Sequence, residues 1–207
     1  MAAKTVVAGS SVSASQLKDL FRQIEDGSIN GRIMQAVLEH RNPWEAPTGF
    51  EVVSDGRTGE QFIASLESAS YKASDYAKDV MRKPPFVSTT GQKYKLVVIK
   101  GEEFEDDDRI TSKIRAEADR RDYRVPPAEV APLLRELVSD EEIERMGLYW
   151  LIVMHEPITD SDGRPRVLGI HRYGKGRWLN ACHGRADGRW GREGGFVFLA
   201  PQDSPQV

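Results

Sequence analysis

Four short apolar segments, joined by glycine-containing turns, occupy residues 147–201. The first segment is apolar at nearly every position, which is typical of a strand buried on both faces of a sheet. Asp162-Gly163 is a strong hairpin signal, because aspartate and glycine both tolerate the backbone of a tight turn. The pattern therefore predicts an antiparallel β-meander. Its strands are predicted at Leu148–His155, Val167–Tyr173, Arg177–His183 and a last segment that includes Phe196–Leu199.

Apolar residues in the preceding part of the chain recur at three- and four-residue steps, which is typical of amphipathic helices. Thr58-x-x-Gln61 and Ser139-x-x-Glu142 are capping boxes that mark two helix starts. After Thr58 the spacing fits either one long helix or two shorter helices broken near Ser70. Further helices are predicted at 13–26, 28–40 and 109–121 and from Pro127 onward, and one more strand at Tyr94–Lys100.

These elements predict an α+β fold, in which a helical N-terminal half packs on a mostly antiparallel sheet of about five strands. The sheet ends in the C-terminal β-meander. The ends of the chain are expected to be flexible. The predicted organisation is a helical-hairpin module at 13–44, a linker plus long helix or helix pair at 45–92, an α+β core at 93–201, and flexible ends at 1–12 and 202–207.

Charge is unevenly distributed along the chain of 207 residues, whose net charge is −3. This net charge excludes a globally basic nucleic-acid binder. Residues 101–145 carry 15 acidic and 8 basic side chains, whereas residues 164–192 carry eight basic side chains and one acidic one. Such asymmetry indicates either a basic docking face or two regions that face and neutralise each other. The sequence leaves both interpretations open.

A single cysteine, Cys182, excludes an internal disulfide. No Cys/His spacing is typical of a structural zinc site, and no nucleotide-binding or nucleophile motif is present. We therefore expect no cofactor. No segment has the length or hydrophobicity of a signal peptide or a membrane span, so a cytoplasmic protein without a membrane partner is expected.

His155 and Glu156 stand at the predicted end of the first meander strand, a common place for an acid/base pair. His171 lies on the neighbouring strand, and the hairpin register decides its role. If residues whose numbers sum to 326 pair, the two imidazoles are cross-strand neighbours. If the sum is 325, they lie on opposite faces. Structural hydrogen bonding at the sheet end is the alternative role for both histidines.

Arginines and aromatic residues alternate through the meander, and such a surface suits phosphates and unpaired bases. Burial of the tryptophans in the core is the alternative. The candidate binding residues are Arg172, Tyr173, Arg177, Trp178, Arg189 and Trp190. Asp106 and Asp107, which follow a strand end, are weak candidates for holding Mg²⁺. One residue of Asp106–Asp108 is alternatively a helix cap.

Several blocks of the sequence resemble a family of uncharacterised proteins from genomes of small uncultured bacteria. The resemblance covers about two thirds of the chain and implies no activity, cofactor or residue role. The blocks are SQLKDLFRQIEDGSINGRIMQAVLEHRNPW, KYKLVVIKGEEFEDDDRITSKIRAEADRR, EVAPLLREL with SDEEIERM, VMHEPITDSDGRPRVLGIHR, and GRWLNACHGRADGRWGREGGFVFLAP.

The function favoured by the residues is binding: a basic, aromatic-containing meander face that meets nucleic acid or an acidic protein. A hydrolase or nuclease that uses His155, Glu156 and His171 is the first alternative. A purely structural or self-associating protein is the second. The binding hypothesis requires the meander arginines to share one exposed face, and the enzyme hypothesis requires an accessible His155.

Overall fold

The structure is a computed structural model that describes residues 13–25, 34, 49–173 and 176–201. The chain divides into two compact units, 1–46 and 47–207. The first unit contains helix α1, Ala14–Glu25. Ser13 and Gln16 form a capping box at its start, in which each side chain accepts a hydrogen bond from the backbone N–H of the other residue. The predicted helix at 28–40, apart from the helical Met34, and the predicted flexible ends lie outside the described residues.

The second unit combines a mixed β-sheet with helices, so the overall class is α+β. Its described strands are β1 (Gly49–Asp55), β2 (Lys72–Ala73), β3 (Thr90–Lys100), β4 (Trp150–Val153), β5 (Ile158–Thr159), β6 (Pro165–Tyr173), β7 (Gly176–His183) and β8 (Gly194–Leu199). Its described helices are α2 (Gly59–Ser68), α3 (Asp75–Arg82), α4 (Thr111–Arg120), α5 (Val130–Leu137) and α6 (Asp140–Arg145). Within the described residues, none of these helices is long and apolar enough to cross a membrane.

The sheet has the strand order β1-β3-β8-β4-β6-β7-β2, with β5 paired to β6 outside this path. The pairs β4–β8 and β7–β2 are parallel, and the other pairs are antiparallel. The prediction of about five strands was therefore wrong in number, and the sheet is mixed, with five antiparallel and two parallel pairs among the described strands. Only β4, β6 and β7 form the antiparallel meander, because β8 returns to the middle of the sheet between β3 and β4.

Strand β1 lies in the region predicted to be a linker. Its Val52 is buried in the core, and the strand pairs along its length with β3. The two-helix alternative for the following segment is confirmed, since α2 and α3 are separated by a turn in which Ser70 has a φ of 63°. The predicted capping boxes at Thr58 and Ser139 are both present. The N-terminal half of the chain thus contributes strands as well as helices to the sheet unit.

Helices cover both faces of the sheet. Phe62, Leu66 and Leu134 of α2 and α5 pack with sheet residues such as Leu151 and Leu168 on one side, which we call the inner face. Ile114 and Ala118 of α4 pack with the opposite set of sheet residues, and we call this side the outer face. Helix α4 covers only part of the outer face, and the surface of β6 and β7 beyond it carries the residues described next.

The start of α4 departs from prediction, because none of the three aspartates before it is the cap. The cap residue is Ile110, which has no capping side chain. Thr111 and Ser112 instead donate their backbone N–H groups to the carbonyls of Gly188 and Ala186, at 3.0 and 2.9 Å. The loop between β7 and β8 therefore satisfies the helix terminus, which needs no carboxylate. Pro127 likewise does not begin a helix, since α5 starts at Val130.

Candidate functional site on the outer face of the meander

The pairing of β6 with β7 decides which side chains share the outer face. His171 lies opposite Trp178, and Tyr173 lies opposite Gly176. Directly paired residues project from the same face, as do residues two positions apart along a strand. Several side chains of the meander therefore share the outer face, and we use the name aromatic face for five of them: His171, Tyr173, Trp178, Asn180 and Cys182.

A glycine makes room for the central imidazole of this face. A Cβ atom on Gly169 would lie 3.4 Å from His171 Nε2 and only 2.4 Å from Ile152 Cδ1. With glycine there, the His171 ring reaches Cys182, with Nε2 at 3.4 Å from Sγ. On its other side, Nδ1 lies 3.2 Å from the Tyr173 hydroxyl. The result is a continuous thiol–imidazole–phenol chain across two strands.

Burial keeps the members of this chain neutral. Burial lowers the pKa of His171 to about 4, with a smaller effect from the Arg135 charge. Burial raises the pKa of the Cys182 thiol to about 12. At neutral pH the thiol can thus donate its hydrogen bond to Nε2, and the Nδ1–H can donate to the phenol oxygen. The resting pair is a thiol and an imidazole, and not a thiolate and an imidazolium.

Two side chains of the aromatic face, those of Tyr173 and Trp178, are accessible to solvent in part. The Tyr173 residue is 54% exposed, and its ring lies on His171 with 5.1 Å between ring centroids. Trp178 is half-buried, with the Lys72 Nζ at 5.2 Å from its ring centroid. In the described part of the chain, neither the Trp178 indole N–H nor the Asn180 side-chain amide has a hydrogen-bond partner. Stacking surface and free polar groups therefore lie together on one sheet face.

The predicted arginines do not join this face. Arg172 and Arg177 pair with each other across β6 and β7, so both project toward the inner face. Arg172 Nη1 lies 2.7 Å from the Glu144 carboxylate. Arg177 donates to the Tyr71 hydroxyl at 3.3 Å and lies over its ring. The expected single basic and aromatic surface is thus divided between the two faces of the sheet.

Arg189 and Trp190 belong to the loop before β8. Arg189 Nη1 lies 3.3 Å from Asp107, and both side chains are largely exposed. Trp190 donates its indole N–H to Thr111 Oγ1 at 2.9 Å and packs against Trp150, so it is part of the core under α4. Arg172 and Arg189 therefore both pair with acids of the 101–145 region. The opposed charges of the two regions are neutralised at these contacts.

His155 is buried, and both of its ring nitrogens are hydrogen-bonded to the backbone. The residue is 1% exposed. Its Nδ1 donates to the Glu156 carbonyl at 2.7 Å, and its Nε2 accepts the backbone N–H of Leu168 at 2.8 Å. Because both ring nitrogens are used by the backbone, neither can take a proton from a substrate. The Glu156 carboxylate points to solvent and lies 3.6 Å from Arg115.

Both predicted registers for His155 and His171 were wrong. Trp150, and not His155, lies opposite His171. Strand β4 ends at Val153, before His155 is reached. In the pairing of β6 with β7, His171 faces Trp178. This register puts Cys182 on the same face as His171.

The two aspartates proposed for Mg²⁺ contact different arginines. Asp106 accepts a hydrogen bond from the buried Arg109 at 2.9 Å, and Asp107 contacts Arg189. Among the described residues, no group of three or more His, Cys, Asp or Glu side chains is placed to hold a metal ion. In this loop the two aspartates therefore form ion pairs with arginines.

Sequence reasoning missed Cys182 and Asn180. The available signal was the pair of glycines, Gly169 and Gly176, that stand beside aromatic residues on alternating strand positions. A glycine inside a strand often marks the close approach of another group. Here the His171 and Trp178 rings each lean over one of these glycines.

Comparisons with known proteins assign no role to this surface. No family model matches the chain. No curated protein and no solved structure matches it either. The function must therefore be inferred from the geometry of the aromatic face.

Proposed function

We propose that the protein is a binding protein whose aromatic face receives a ligand with a planar ring. The observation that carries this proposal is the exposure of Tyr173, 54%, on the same sheet face as Trp178. An exposed aromatic ring on a sheet is a stacking platform, and stacking contributes about 1–3 kcal/mol per base. Residues of the sheet core fix the platform from below, so little ordering is needed on binding.

The polar groups around this platform favour an unpaired nucleobase as the ligand. Asn180 offers both a donor and acceptors, and the Trp178 indole offers a donor. A nucleobase presents donors and acceptors on its edge and a π face for stacking. Nucleic acid, in single-stranded form, is therefore the partner that we propose, and a cytoplasmic location remains a prediction.

The local charges indicate that stacking, more than attraction to phosphates, drives this binding. Arg172 and Arg177 project toward the opposite face of the sheet. Burial raises the pKa of Tyr173, and the nearby Glu193 charge adds to that shift. Because Lys72 lies at the stacking platform while Arg172 and Arg177 do not, we expect affinity to fall only shallowly with salt concentration.

Tyr173 variants test the proposal. A short oligothymidylate or oligoadenylate is titrated into the protein while tryptophan fluorescence is followed. Tyr173→Ala should weaken binding by about fivefold to a hundredfold, because it removes one stacking interaction. Tyr173→Phe should bind like the wild type. The matched control is Tyr149→Ala, which removes a 53% exposed tyrosine outside the aromatic face.

Two results would overturn the proposal. The first is an oligonucleotide affinity that Tyr173→Ala leaves unchanged or that Tyr149→Ala lowers equally. The second is a steep salt dependence that disappears in Arg177→Gln. That outcome would show that the arginines are the binding residues and that the ligand is a polyanion, such as an acidic protein.

Thiol-based acyl transfer is a second candidate function, and the 3.4 Å contact between Cys182 Sγ and His171 Nε2 favours it. The thiol would attack a carbonyl carbon as its proton passes to Nε2, and the leaving alcohol or thiol would take that proton. Water would then attack the thioester, give a proton through Nε2 to Sγ, and release the carboxylic acid. Turnover of a p-nitrophenyl ester should then be lost in both Cys182→Ala and His171→Gln and kept in His183→Gln. Equal background rates in all four proteins would exclude this function.

A further inference from the structure

A cleft of about 550 Å³ lies on the outer face at the other end of the sheet, away from the meander. Its volume is within the range of small-molecule sites. Strands β1 and β3, the segment after α4 and the end of β8 all contribute to its lining. We call it the cationic cleft and define it by its charged side chains: Glu51, Lys93, Lys95 and Arg124.

Backbone pairing fixes the positions of these side chains. Lys93 and Lys95 are alternate residues of β3 and so project from the same face, and Glu51 lies directly opposite Lys95. Arg124 and Leu199 exchange two backbone hydrogen bonds of 3.0 and 2.8 Å. The Ala200 N–H donates to the Lys95 carbonyl at 2.8 Å. The three cations are therefore carried by backbone that the sheet holds in place.

Two cationic side chains of the cleft, Lys93 and Arg124, are available to an anion. Within the described residues, neither Lys93 nor Arg124 has an ion-pair partner, in contrast to Arg172 and Arg189 of the meander region. Like charges in a cleft concentrate the electric field and attract anions. Lysine and arginine together suit a group with several anionic oxygens, because guanidinium binds two oxygens at once.

We infer that the cationic cleft binds the phosphate group of a small phosphorylated molecule. Lys93 of β3 and Arg124 of the facing segment approach such a group from different sides. Glu51, the one acid among the described residues of the lining, lowers the affinity of the cleft for an anion. This site is separate from the aromatic face and does not depend on base stacking there.

Pyrophosphate is the probe for this site. It is titrated into the ¹⁵N-labelled full chain, and amide chemical shifts are followed by NMR. Shifts should concentrate at residues 92–95, 124 and 199–200. Lys93→Gln and Arg124→Gln should each weaken binding by about fivefold or more, because each removes a unit charge near the phosphates. Glu51→Gln should strengthen it by about twofold or more for the same reason.

The matched control is Arg145→Gln, which makes the same change in net charge at an exposed position on α6. It should leave pyrophosphate binding unchanged, as should Tyr173→Ala. Equal weakening by Arg145→Gln and Arg124→Gln would show attraction to overall charge and overturn the inference. Shifts confined to residues outside the cleft, or weakening in Glu51→Gln, would overturn it as well.

Discussion

Two buried histidines, His155 and His171, are held in neutral form by the sheet. Burial lowers the pKa of each to about 4 from the ordinary 6.5. The unfolded chain binds protons at these positions over a pH range in which the folded chain does not. Protonation of the unfolded state therefore opposes folding as the pH falls.

The protein should lose stability as the pH drops from 6.5 toward 4. The contribution of each histidine is fully present above pH 6.5, where neither state is protonated, and amounts to roughly 3 kcal/mol. Urea unfolding at pH 7 and at pH 5 measures the loss. His155→Gln should reduce the change in the free energy of unfolding between these two pH values, whereas His183→Gln, at an exposed position, should not alter that change. An equal change in the wild type and in His155→Gln would contradict this account.

Arg135 is a fully buried arginine whose guanidinium is incompletely hydrogen-bonded. It is 0% exposed, and its Nε and Nη1 have no hydrogen-bond partner among the residues that the structure describes. Its Nη2 donates to the Val138 carbonyl and lies 3.0 Å from Asp140, while Tyr71 lies beneath the guanidinium at 5.6 Å. Burial lowers the pKa of Arg135 in spite of the Asp140 charge. A buried, incompletely bonded charge costs stability.

Arg135→Met should leave the free energy of unfolding unchanged or raise it by about 1 kcal/mol, because the apolar side chain fills the same volume without a desolvation cost. Arg135→Ala is the control and should lower it by about 2–5 kcal/mol through the cavity that it leaves. Chemical denaturation of the three proteins decides the matter. A loss in Arg135→Met as large as that in Arg135→Ala would show that the charge itself stabilises the fold.

At the scale of single elements, local signals in the sequence were sufficient for the starts of α2 and α6 and for the break between α2 and α3. The capping boxes at Thr58 and Ser139 and the break near Ser70 depend only on neighbouring residues, and all are present. The outer-face register was not predictable in this way. It depends on how β6 pairs with β7, and a slip of one residue in that pairing moves a side chain to the other face. The site residue Cys182 was missed for that reason.

Helices α2 and α3 approach each other too closely for any side chain at Gly59. A Cβ atom there would lie 1.9 Å from the Met81 carbonyl oxygen, which belongs to the backbone and cannot turn away. Gly59→Ala should therefore lower the free energy of unfolding by about 2–3 kcal/mol. Ala64→Ser, at an exposed position of the same helix, is the control and should cost about 0.5 kcal/mol. Equal thermal melting of both variants would argue against this close contact.

At the scale of the whole molecule, the sequence predicted the α+β class and the separation of acidic and basic regions, but not the strand order. Strand β8 pairs with β3, which is far from it in sequence, and no local pattern specifies such a pairing. The charge pattern left two readings open, and the contacts of Arg172 and Arg189 favour neutralisation at these positions. Lys93 and Arg124, which have no ion-pair partner in the described part of the chain, lie instead in a cleft that the sequence did not predict.

The sheet unit should fold without residues 1–46. Among the described residues, every member of the two buried clusters lies at or after Phe50. A chain of residues 47–207 should therefore unfold cooperatively, with a melting temperature within about 4 °C of the full chain. Circular dichroism during heating measures both. A non-cooperative transition would mean that the first unit contributes to the core.

The central place of β8 sets a condition on folding during synthesis. This strand is the last of the described strands to leave the ribosome, yet it joins two halves of the sheet. Until it arrives, β3 on one side and β4 on the other each lack a neighbour, and such edges are open to wrong pairing. The speed of translation over the last part of the chain therefore sets how long the nascent protein needs the protection of a chaperone.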